Sequence, residues 1–193
     1  MFVDYLTLLM INLAAGTALL AYYVYKGVDA EDSKSFAAGF LIVGLIAFLG
    51  GAHMVANWPL PGSYNIGFGE STVLFGAVFL GAALAISQGW SLLPVAIYAL
   101  FAGVEALLVG LRIIDLGLTK SPLVSGIGFI LAGAGGIAAA PGLGFLKKSQ
   151  TFRYIAVASL ILVSAFWAFT FYNSLWGHLE SFASYVPARM IGK

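Results

Sequence analysis

The chain has 193 residues, of which 61% are hydrophobic and only 9% charged. Soluble domains carry about 25% charged residues, so a water-soluble fold of this composition would have an apolar exterior, which a bilayer solvates without cost. The net charge of +1 gives no case for nucleic acid, and the absence of cysteine excludes disulfides, thiolate metal sites and iron–sulfur ligation.

Six apolar segments are long enough to span about 30 Å at 1.5 Å per residue. The first covers residues 3–25 and ends in the cluster Tyr22, Tyr23 and Tyr25, which suits a membrane interface. No basic n-region of a cleaved signal precedes it, so it reads as a membrane helix. The charged linker KGVDAEDSKS follows, and the second segment, 36–55, carries His53 near its far end. Pro59 and Pro61 stop that helix because each lacks an amide donor. The uncharged loop NWPLPGSYNIGFG, with Trp58, Tyr64 and Phe68, is predicted to fold back onto the helix ends.

The third segment covers 70–87, and the turn Gln88-Gly89-Trp90-Ser91 joins it to the fourth, 92–114, as an antiparallel hairpin. DLGLTKSP leads to the fifth, 123–140, and PGLGFLKKSQ to the sixth, 152–176. The tail beyond it is limited by Pro187. The expectation is one all-α domain over 1–193, an integral membrane six-helix bundle with both termini on the same side. Lys26, Lys34, Lys147, Lys148 and Arg153 lie on one side, against Arg112, Lys120, Arg189 and Lys193 on the other. With the positive side inward, both termini are predicted to be extracytoplasmic in a multi-pass cell-membrane protein.

Small residues recur at every fourth position: Ala77, Gly81, Ala85 in the third helix; Ala102, Ala106, Gly110 in the fourth; Gly128, Ala132, Gly136 in the fifth. Such stripes let helix backbones approach closely in lipid. The run GAGG at 133–136 reads as a packing face, because no strand precedes it. GLIAFLGGAH (44–53) aligns without gaps to GVEALLVGLR (103–112), a hint of an internal repeat that matches His53 with Arg112.

With six spans, His53, Arg112, Asp115, His178, Glu180, Asp4 and Glu70 all fall at one membrane face, and the other half is nearly bare apart from Asn12 at mid-depth and hydroxyls. Glu105 lies about two turns inside the boundary, where an unpartnered carboxylate costs about 2.5–3.5 kcal/mol. Seven residues before Arg112, it shares a helix face with that arginine, and Asp115 flanks Arg112. The simplest role of this group, with Glu180 nearby, is an ion-pair or polar network that fixes the fourth helix. His53 and His178, with Glu70 or Glu105, could ligate a metal ion or clamp a haem. The simplest role of each histidine is a hydrogen bond to a loop carbonyl or a headgroup. No HxxxH or ExxH pair occurs, so the metal site is a constellation drawn from topology.

The segments MFVDYLTLLMINLAAG, WPLPGSYNIGFGE, LLPVAIYALFAG, RIIDLGLTKSPL and WGHLESF together resemble a family of small prokaryotic polytopic membrane proteins that carries only a domain-of-unknown-function label. The resemblance spans nearly the whole chain, and the pattern at 58–70 is its most distinctive part. It implies the membrane architecture and brings no activity, substrate or catalytic residue with it. Three functions fit the residues. One is a metal- or haem-binding membrane protein, as a redox or hydrolytic enzyme, with Arg112 orienting a carboxylate or an anionic substrate. The second is a non-enzymatic accessory subunit of a larger membrane complex, or a homo-oligomer. The third is a small-solute or ion transporter or channel, for which Asn12 and Glu105 are the mid-depth polar residues.

Overall fold

The computed structural model describes residues 4–30 and 32–185. Val3, where the first helix is predicted to begin, lies outside them, as do Pro187, Arg189 and Lys193. The described residues contain six long helices and no strand. They are α1 (Tyr5–Lys26), α2 (Phe36–Asn57), α3 (Ser71–Gln88), α4 (Leu93–Leu116), α5 (Pro122–Lys148) and α6 (Gln150–Ser181). Each, with its flanking turn, is long and apolar enough to cross a membrane.

Three boundaries differ from expectation, and one is that α6 runs on past Trp176 through Gly177 to Ser181, where the Phe182 amide closes on the His178 carbonyl. Helix α5 runs through Pro141 to Lys148 instead of ending near Ala140. Proline removes one backbone hydrogen bond, and long membrane helices tolerate that loss where neighbouring groups satisfy the freed carbonyl. The third span begins before Ser71, as a π-helical turn over Asn65–Glu70, so much of the expected loop is helical. The remainder is closed by Asn65, whose buried side chain accepts from the Leu60 amide at 2.9 Å and donates to the carbonyls of Leu60 and Gly62. Trp58 takes a left-handed conformation, φ 45°, and turns the chain out of α2.

The helices close into a ring in chain order. Three pairs pack tightly: α2 with α3, α4 with α5, and α6 with α1. The seams between these pairs are looser. Two of the tight pairs, α2–α3 and α4–α5, use glycines seven residues apart. A Cβ on Gly103 of α4 would lie 2.5 Å from the Gly133 carbonyl of α5, and one on Gly110 would lie 2.7 Å from the Gly126 carbonyl. In the α2–α3 pair, Gly51 and Gly44 likewise face the backbone of α3 at Val73 and Leu80. Spacing of seven keeps a residue on one face of two helices that cross at a shallow angle. Thus Gly44 and Gly51, which align with Gly103 and Gly110, serve the same purpose in both hairpins. The spacing-of-four stripes are mostly not these faces: Gly128 meets Trp167 of α6, and Gly81 meets Val95. Gly133 and Gly136 of the GAGG run do pack on α4, while Gly135 faces open space.

The closing pair is tied at three levels. Asp4 meets His178 at one end, Ser164 Oγ donates to the Ala14 carbonyl at 2.8 Å in the middle, and Tyr25 packs on Tyr154 at the other end. Asn12 Nδ2 donates to the Val43 carbonyl at 2.9 Å and joins α1 to α2. Each such interhelical bond contributes about 0.6 kcal/mol in a bilayer, where the separated helices also find polar partners. Aromatic rings link the spans from within: Phe68 to Phe129, and Phe129 to the buried Trp167.

Candidate functional site

The polar residues gather at two places. The first is the seam between α3 and α4, built by the π turn. Its sequence, NIGFGE, contains two glycines that let the wider turn wedge between neighbours. A Cβ on Gly69 would lie 3.0 Å from Val55 Cγ2 of α2, and one on Gly67 would lie 3.3 Å from Val109 Cγ1 of α4. The turn ends with Glu70 and Ser71, which face different partners. Glu70 borders a groove with Ala52, Val55 and Ala56 of α2. Ser71 reaches across to Glu105, with Oγ at 2.9 and 3.0 Å from the two carboxylate oxygens. The same Oγ lies 2.7 Å from the Gly67 carbonyl, inside the π turn.

Glu105 sits halfway along α4, about 16 Å from its C-terminal end at 1.5 Å per residue. It is half-buried. The expected Glu105–Arg112 pair is not formed. Arg112 instead pairs with Asp115 one turn along α4, and both side chains are more than 60% exposed. Glu180 is exposed near the end of α6. Exposed pairs one turn apart contribute little to stability, so Arg112–Asp115 marks the helix end and does not reach the seam.

The second place is the start of α1. Asp4 caps the helix, accepting from the Thr7 amide at 3.3 Å, and His178 Nδ1 lies 2.7 Å from its other oxygen. Burial pushes the Asp4 carboxyl upward, but the hydrogen bonds from His178 and Thr7 outweigh it and hold the group below its ordinary range. His53 stacks on Tyr5 at 5.2 Å, and its Nδ1 lies 3.1 Å from Asn57 Nδ2. The same Asn57 Nδ2 also donates to the His53 carbonyl at 3.1 Å. Both histidines therefore flank the first turn of α1, at one end of the bundle. Glu70 and Glu105 belong to the separate seam. Among the described residues no group of three or more histidine, aspartate or glutamate side chains is close enough to hold a metal ion.

The model of a family described as protein of unknown function (DUF981) matches residues 1–181. The chain belongs to that family. No curated protein and no solved structure matches it. The seam includes parts that sequence reasoning missed. Ser71 falls inside the third expected span and Asn65 inside the expected loop, and neither is marked there as a site residue. The available signal was a paired glycine, G-x-G, immediately before an acidic residue at a helix start.

Proposed function

We propose that this DUF981 protein is a multi-pass membrane carrier whose working step is the loading and unloading of a proton at Glu105. The observation that carries this reading is the single Ser71 hydroxyl set between three acceptors. When Glu105 is ionised, Ser71 donates to it. When Glu105 holds a proton, that proton can be donated to Ser71 Oγ while Ser71 turns its own to the Gly67 carbonyl. Both states keep their hydrogen bonds, so with water giving or taking the proton the seam itself needs only a hydroxyl rotation. Two general tendencies support the reading. Ionisable groups inside membrane spans mark ion and proton pathways, and π turns inside helices concentrate at functional sites.

A metal or haem held by His53, His178, Glu70 and Glu105 draws less support from the geometry. Metal ions take roughly four to eight ligands, whereas the seam offers one carboxylate with a hydroxyl, and each histidine is engaged at the start of α1. Proton exchange in liposomes tests the carrier reading. After a pH jump, wild type carries protons across the membrane over repeated turnovers that Glu105→Gln does not support, and Glu105→Asp restores the flux. Equal exchange by wild type and Glu105→Gln would overturn the proposal.

A further inference from the structure

We infer that the groove headed by Glu70, between α2 and α3, binds a cationic amphiphile, meaning an ammonium head on an apolar tail. The groove is about 370 Å³ and is walled by Ala52, Val55, Ala56, Val73 and Leu74. That is the low end of the range for small-molecule sites, roughly 300–1,000 Å³. Its one charged member is Glu70, and among the described residues no cation or hydrogen-bond donor engages that carboxylate. An exposed, unpaired anion at the rim of an apolar trough inside a membrane-spanning segment is complementary to a cation that already partitions into the membrane. A phospholipid without an ammonium head is a poorer occupant, because it would bring a phosphate beside the Glu70 carboxylate with no cation to pair with it.

The inference names the substrate class of the carrier proposed above and rests on it for its biological role. The two sites adjoin through the chain: Glu70 faces the groove and Ser71 faces Glu105. Successive residues thus address the groove and the carboxylate, and a cation held at Glu70 sits one residue from the hydroxyl that serves Glu105.

The test measures binding of dodecyltrimethylammonium by equilibrium dialysis to the full chain in dodecylmaltoside, a detergent without an ammonium group, at fixed pH. Uncharged dodecanol is the competitor. Glu70→Gln should weaken binding about tenfold, a change of about 1.4 kcal/mol, and Glu70→Asp should recover part of it. Ala52→Trp, which fills the trough and keeps the charge, should weaken binding as well. Equal affinity in wild type and Glu70→Gln, or displacement by dodecanol at the same concentration as by unlabelled ammonium, overturns the inference. Binding that depends on Glu70, together with proton exchange that is unchanged in Glu105→Gln, would retain the site and remove the carrier reading.

Discussion

Asn65 is 1% exposed and satisfies three backbone groups of its own loop. Asn65→Ala would strand an amide and two carbonyls, at about 1–3 kcal/mol. Thermal unfolding in nanodiscs should show this loss, whereas Asn57→Ala, an exposed site on α2, should change stability far less. Asp4 yields a pH-dependent prediction. Its carboxyl is depressed in the folded state, so its contribution is full above the ordinary value of 3.8 and is lost as pH falls through the lower folded value. Asp4→Asn keeps a capping residue and should remove that part of the acid-induced loss, about 0.5–1 kcal/mol for a partly exposed pair. Unfolding midpoints measured from pH 6 down to about pH 3 would show the curves of wild type and variant converging in acid. Of these residues, Asp4 and His178 could be placed at one bundle end from sequence, because alternating span direction determines the ends. Asn65 could not, because a loop asparagine looks the same whether it closes the loop or faces water.

At the scale of helices, six spans follow from the length of the apolar runs, and the structure has six. The close-packed faces were harder to read. Glycine and alanine are so frequent here that stripes spaced by four arise on several faces at once, and only the partner helix decides which one packs. The structure selects the spacing of seven at Gly103 and Gly110 against Gly126 and Gly133. Gly103→Val should therefore separate α4 from α5 and destabilise the fold by about 1–3 kcal/mol, the usual range for overpacking. Gly135→Ala, on the same helix but facing open space, should leave unfolding in detergent unchanged. The π turn was likewise hidden, because nothing local separates i→i+5 bonding from a loop with two glycines. Wedging between Val55 and Val109 supplies the reason for it.

Across the whole molecule, three tight helix pairs joined by looser seams place the closest helix packing within pairs and Glu105 at a seam between two of them. Glu105 could be singled out from sequence because a carboxylate at that depth needs a partner. Its expected partner, Arg112, lay on the same helix. The actual partner, Ser71, comes from the neighbouring pair, and rotation about a helix axis is not visible in a one-dimensional pattern. The α3–α4 seam is the centre of this account, and pH-difference infrared spectroscopy of the protein in bilayers tests it most directly. The account requires a carboxylic-acid carbonyl band that appears and disappears with pH, is lost in Glu105→Gln, and shifts in frequency when Ser71→Ala removes its hydrogen-bond partner. A band indifferent to Ser71→Ala, or no pH-dependent band assignable to Glu105, would contradict it.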